Sequence, residues 1–97
     1  MQMQRYAIMS RFNGSGALDP ASFKQTAERV ASRIKQECPD VHWQDSYMLM
    51  GSVDVLDLVD SDNPRAVEKA AMIIRSESGA RTETSLATPW KDLLTSL

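Results

Sequence analysis

Hydrophobic and polar positions along this chain switch between two spacings, and each switch marks an element. In "QRYAIMSRF", residues 4–12, Tyr6, Ile8, Met9 and Phe12 form a short apolar run closed by "NGSG", a cluster with strong turn chemistry. That predicts a first strand. In "LDPASFKQTAERVASRIKQEC", Asp19 is the expected N-cap and Pro20 the first helical residue, where a missing N–H costs nothing. Phe23, Ala27, Val30, Ala31 and Ile34 then recur at helical spacing, with Lys24, Glu28, Arg29, Arg33 and Lys35 on the other faces. This amphipathic helix should end near Pro39. "VHWQDSYMLM" returns to an extended pattern, Gly51 and Ser52 suggest a tight turn, and "VDVLDLVD" follows, so the two runs read as a β-hairpin. A second helix opens at Asp62 or Asn63 with Pro64 first inside, buries Val67, Ala70, Ala71 and Ile74, and stops at Gly79. "ARTETSLAT" alternates like a fourth strand, and Pro89 starts a short last helix through Trp90, Leu93 and Leu94.

The predicted order is β-α-β-β-α-β with a C-terminal helix, the order of the ferredoxin-like split βαβ motif in an α+β sandwich. Both long helices would cover one face of a four-stranded antiparallel sheet. Period-two alternation puts Val53, Val55 and Val59 on one face of the third strand, and Leu56 and Leu58 on the other. In the second strand it separates Val41, Trp43, Tyr47 and Leu49 from Met48 and Met50. Neither face is cleanly polar, as one in water would be. The second face is therefore expected to meet another sheet, most simply in a twofold homodimer.

Composition narrows the partners. Ninety-seven residues make one domain, 1–97, that buries only about 60–65% of its unfolded surface, so the core is thin and a partner subunit would help. Hydrophobic residues at 42% and charged ones at 25% exclude a disordered chain. A net charge of −2 without any cluster of Lys or Arg argues against nucleic acid. No run approaches the roughly 18 apolar residues of a membrane span, so no membrane partner is expected. Cys38 is the single cysteine and cannot form an internal disulfide, while "MQMQRYAIMSRF" lacks the basic opening and apolar run of a signal peptide. The cytoplasm is the expected location.

Three stretches together resemble a known family. "YMLMGSVDV", from Tyr47 through Gly51 and Asp54, resembles the signature of the GYD-domain family, in which a tyrosine precedes a hairpin glycine and Gly-x-Tyr-Asp opens the third strand. "GARTETSL", residues 79–86, is similar to that family's last strand, and "FNGSG", residues 12–16, to the loop after its first. The tyrosine that gives the family its name is Val53 here, so only Asp54 carries the polar chemistry of that motif. The loop "CPDVH" also lacks the glycine expected after the first helix. The resemblance implies a ferredoxin-like subunit that pairs as a dimeric α/β barrel, but no established reaction.

Candidate chemistry follows from both readings. Tyr47, Asp54, Thr82 and Thr84 match the resemblance and lie on strands that could wall a ligand pocket. Asp54 has two readings: a turn-fixing carboxylate that bonds backbone N–H groups, or a desolvated group in the cleft between sheet and helices. Asp57 would share a sheet face with Val53, Val55 and Val59, and in a face-to-face dimer it would need a cation or hydrogen-bond donors, with Arg5, Arg11 and Arg81 as candidates for an intersubunit ion pair. Asp60 reads as a helix-capping or solvated group. Cys38, Asp40 and His42 fall within five residues, but their spacing matches no established metal-ligand pattern, and proximity alone gives no Cys-His nucleophile. No metal and no bound cofactor are expected. Ser10, Ser46 and Ser85 lie outside any Gly-x-Ser-x-Gly context, and "NGSG" has no phosphate-loop lysine. Met48, Met50, Met72, Trp43 and Trp90 suit core packing, a dimer surface or an apolar pocket.

Two functions remain open at this point, beside a purely structural interaction protein, which would be favoured if sheet and helices packed without a ligand-sized cavity. One is a homodimeric module that binds a small apolar ligand or regulates, with Asp54 and Tyr47 as polar anchors and Thr82 and Thr84 as weaker ones. The other is a cofactor-independent monooxygenase or isomerase using Asp54 or His42 for proton transfer. Acid–base chemistry usually needs a tuned pair of groups, and the sequence shows no convincing pair.

Overall fold

A computed structural model describes residues 2–12 and 19–97. The elements are β1 (Gln4–Arg11), α1 (Pro20–Glu37), β2 (His42–Met48), β3 (Val55–Ser61), α2 (Pro64–Ser78), β4 (Arg81–Leu86) and α3 (Trp90–Ser96). They form one antiparallel sheet in the order β2-β3-β1-β4, the ferredoxin-like arrangement expected from the element order. The turn assigned to residues 13–16 lies outside the described residues.

Local chemistry sets the helix ends as the sequence implied. The Asp19 carboxylate accepts the Ser22 backbone N–H at 3.1 Å, and the Asn63 side chain accepts that of Arg65 at 3.1 Å, each just before a proline. Gly79 ends α2 with φ of 72°, a left-handed conformation that costs glycine little. The hairpin differs from expectation. Residues 49–54 form a six-residue connection closed by a 2.8 Å bond from the Leu49 N–H to the Asp54 carbonyl, and Gly51 has no positive φ.

The core lies on the helix side of the sheet. Ile8 and Val59, both fully buried, meet Val67, Ala70, Ala71, Ile73 and Ile74 of α2, with Ile34, Cys38 and Val41 at one end. The buried stripe expected on α2 is therefore present. On α1 only Ile34 is buried, and the rest of the expected stripe is not. The physical reason is placement: α1 packs chiefly against α2, where Arg33 bridges Glu37 and Glu77 and Arg29 also reaches Glu77. Between α1 and the β2–β3 hairpin a space remains. Ala27 and Ala31 border it and stay exposed, being too short to fill it.

The register sorts side chains between the two faces. Val59 is buried under the helices, and Val55 and Asp57 share its parity, while Leu56 and Leu58 take the other face, as period two required. The second strand departs from simple alternation. A bulge between Trp43 and Asp45 resets it, so Trp43, Ser46 and Met48 pair with Val59, Asp57 and Val55, while Tyr47 pairs with Leu56. The grouping of Tyr47 with Trp43 is thereby corrected: one extra residue moves them to opposite faces.

Candidate functional site

The space under α1 is a cavity of about 960 Å³, within the roughly 300–1,000 Å³ range of ligand pockets. Phe12, Phe23, Ala27, Val30 and Ile34 line it from β1's end and α1; Val41, Trp43, Met48 and Val55 line it from the hairpin. Phe12 and Phe23 close against each other edge to face, with ring centroids 5.6 Å apart. In this largely apolar surround one carboxylate stands out.

Asp57 lines the cavity from β3 and is only 8% exposed. The Ser46 hydroxyl donates to Asp57 Oδ1 at 2.5 Å, and the Trp43 indole N–H donates to the same oxygen at 3.2 Å while reaching Ser46 Oγ at 2.9 Å. Both donors stand on the adjacent strand, brought into line by the bulge. Oδ2 accepts no hydrogen bond from the described residues. Burial is the largest influence on this carboxyl and pushes its pKa above the ordinary value, against the lowering effect of the Ser46 and Trp43 hydrogen bonds. The intersubunit ion pair expected for Asp57 is thus corrected, because its face is the helix face. Arg5 and Arg11 lie at β1 positions of the other parity, and among the described residues no Lys, Arg or His pairs with it.

One register step away, Ser10 pairs with Val55 just as Ile8 pairs with Asp57. Its hydroxyl is buried and finds no partner among the described residues. It is a second unmet polar group in the same layer.

The residues singled out from sequence occupy four different settings. Asp54 accepts the Phe12 backbone N–H at 2.8 Å through its carboxylate, and its own N–H donates to the Ser10 carbonyl at 2.9 Å. It ties the end of β1 to the hairpin connection, across 42 positions of sequence, and so holds Phe12 at the cavity wall. Tyr47 is 50% exposed, pairs with Leu56 and borders the cavity. The Thr82 hydroxyl accepts from the Arg75 guanidinium at 2.6 Å. Thr84 is exposed on the edge strand opposite Ile8. Only Tyr47 of these four borders the cavity.

Other candidates resolve similarly. Asp60 does not cap α2: it takes two hydrogen bonds from Arg5, at 2.8 and 3.1 Å, which hold its carboxyl below the ordinary value. Cys38 is buried at the end of α1, and that burial raises its thiol pKa. His42 stands opposite Asp60 and is exposed. Among the described residues no group of three or more His, Cys, Asp or Glu could hold a metal ion.

Asp57, Ser46 and Trp43 are the residues that sequence reasoning did not bring together. A signal existed: Asp57 shares the parity of Val55 and Val59, and a carboxylate in a core-facing row is an anomaly that asks for a role. Which face was the core came only with the docking of the helices, and which residue of β2 lay opposite only with the bulge.

A role for Asp54 in fixing backbone is directly testable. Asp54→Ala should cost about 1–2 kcal/mol in denaturant unfolding, since it strips the acceptor from a half-buried N–H, whereas Asp54→Asn, which keeps an acceptor, should cost less than half of that. Equal losses for the two variants would show that the Phe12 bond contributes little.

The GYD-domain profile matches residues 6–96. The chain belongs to the GYD-domain family. No curated protein matches it in sequence. Among solved structures, an AsnC family transcriptional regulator from Agrobacterium tumefaciens superposes with a TM-score of 0.61 at 19% identity, over 90% of this chain and 52% of that one. A hydroxynitrile lyase from Passiflora edulis gives 0.56 at 8% identity, over 90% of this chain and 94% of that one. A putative antibiotic biosynthesis monooxygenase from Caulobacter crescentus gives 0.52 at 12% identity, covering 90% of each. These likenesses establish the ferredoxin-like fold. This GYD-domain chain spans about half the length of the AsnC-type regulator.

Proposed function

We propose that this GYD-domain protein is a small-ligand-binding module whose site is the cavity between α1 and the β2–β3 hairpin, with Asp57 as its polar anchor. The observation that carries this reading is a buried carboxylate, oriented by Ser46 and Trp43, in a largely apolar cavity of about 960 Å³. A chain with so thin a core gains nothing in stability from leaving that volume unfilled and a charge desolvated. Function is the remaining reason to keep both. Tyr47 would border this site, while Asp54 would shape it through Phe12 rather than touch the ligand.

We further propose that two copies pair through the open face of the sheet. Ala7, Met9, Leu56 and Leu58 meet at its centre in the β1–β3 register, and the Arg5 and Asp60 ion pair lies at the edge of that patch. An apolar centre with a polar rim is the anatomy of a protein interface. A buried free thiol at Cys38 suits a reducing compartment such as the cytoplasm.

A second reading, cofactor-independent catalysis, has one observation in its favour. A carboxyl whose pKa is raised by burial beside a ligand cavity is poised for proton transfer. In that case Asp57, rather than Asp54 or His42, is the acid–base group.

Native mass spectrometry of the protein as purified from cells tests the main proposal. The expected species is a dimer carrying a defined extra mass, and Leu58→Asp should convert it to a folded monomer. A wild-type monomer at micromolar concentration would overturn the pairing. Failure of the neutral apolar dye Nile red to bind would overturn the cavity.

A further inference from the structure

Resting on the ligand-binding reading above, we infer that the cavity selects a mainly apolar molecule bearing a protonated amine, with the ammonium seated on Asp57 Oδ2. Ser46 and Trp43 both donate to Oδ1, and this fixes the plane of the carboxylate on one side only. Oδ2 is the lone acceptor of the pair left for a ligand. No ion pair among the described residues reaches Asp57, although Arg5, Arg29, Arg33 and Lys69 all have acidic partners. A buried carboxylate without a cation is an incomplete arrangement, and a ligand that supplies the cation gains the Coulomb attraction while relieving the desolvated charge.

The rest of the lining agrees with that head group. Lys35 is the lysine of the cavity wall, and it is exposed near the end of α1, where water screens its charge. His42 reaches the cavity edge but stands opposite Asp60 on β3. An anionic ligand would thus face Asp57 with only solvated positive charge to offset the repulsion. Trp43 beside Asp57, with Phe12 and Phe23 also in the lining, gives an aromatic surround suited to an apolar body. A ligand with one ammonium and one ring or chain matches this division.

Three probes of nearly equal shape distinguish the outcomes: phenylethylamine, phenylethanol and phenylpropanoate, titrated into the whole chain at neutral pH and followed by NMR at the Trp43 indole N–H and the methyls of Ala27 and Val30. The amine is expected to bind at least tenfold more tightly than the alcohol and the carboxylate. In Asp57→Asn, whose fold is checked by the same spectrum, amine and alcohol should bind alike. If the alcohol or the carboxylate binds wild type as well as the amine does, the inference is overturned while the cavity remains a ligand site. If no probe shifts these resonances at millimolar concentration, the inference and the ligand-binding reading fall together.

Discussion

Asp57→Asn is expected to make the protein more stable at neutral pH, by on the order of 1 kcal/mol, which for a chain of this size raises Tm by about 4–8 °C. Asparagine keeps an acceptor for Ser46 and Trp43 and removes the desolvated charge. The pH dependence carries the sign. The folded pKa of Asp57 is raised, so its contribution to stability is fully present below the unfolded carboxyl value and is lost as pH rises through the folded one. Wild type and variant should therefore agree in acid and diverge above the ordinary carboxylate range, the variant being the more stable. Asp60, Glu37 and Glu77 are lowered by their arginine partners and lose stability in the opposite direction, as pH falls. That behaviour is common to both proteins and cancels in the difference. Thermal unfolding from pH 3 to pH 8 measures it. A variant less stable than wild type throughout would show Asp57 to be a structural residue rather than one kept for function at a cost in stability.

Ile8→Ala should have the largest destabilising effect of any single truncation in the sheet. Ile8 is fully buried on the central strand β1, paired with Asp57 on one side and Thr84 on the other, and it packs in the core cluster with α2. Deleting its side chain beyond Cβ removes apolar contacts and leaves a hole that flanking backbone cannot close, because both neighbouring strands are fixed by ladder hydrogen bonds. The expected loss is about 3 kcal/mol. For a domain whose total stability is about 5–15 kcal/mol, that removes a fifth or more of it. Urea unfolding should show a lower midpoint with an unchanged slope. A loss below about 1 kcal/mol would mean that the cavity beside Asp57 collapses to fill the gap, and the α1 layer would then be softer than its packing against α2 implies.

The two substitutions probe one design from opposite sides. Ile8 and Asp57 face each other in the β1–β3 register, one giving the core its stability and the other drawing on it. A thin core makes that trade visible. Where α2 lies directly on the sheet, its Ile and Ala side chains fill the layer; where α1 stands off, Ala27 and Ala31 leave room and the polar residues of β2 and β3 meet. The proposed site and the weak side of the fold are the same place.

Much of the architecture was written locally. Asp19 with Pro20, Asn63 with Pro64, and Gly79 each act within a few residues, and such signals survive in sequence because their partners are neighbours. Period two in "VDVLDLVD" likewise assigned Val55 and Val59 to one face and Leu56 and Leu58 to the other, since pleating is a property of the strand itself. The family resemblance in residues 47–55 and 79–86 held over nearly the whole chain. What sequence could not decide depended on contacts between distant residues. The bulge at Trp43 to Asp45 arises from the pairing of β2 with β3, and it alone brings Ser46 and Trp43 to Asp57. Asp54 looked like a residue of the hairpin, yet its carboxylate bonds Phe12, 42 positions away. The stand-off of α1 follows from its docking on α2, so an amphipathic stripe that promised a packed core became instead the wall of a cavity. Elements are chosen by short-range chemistry; the cavity exists only where three of them fail to close on one another.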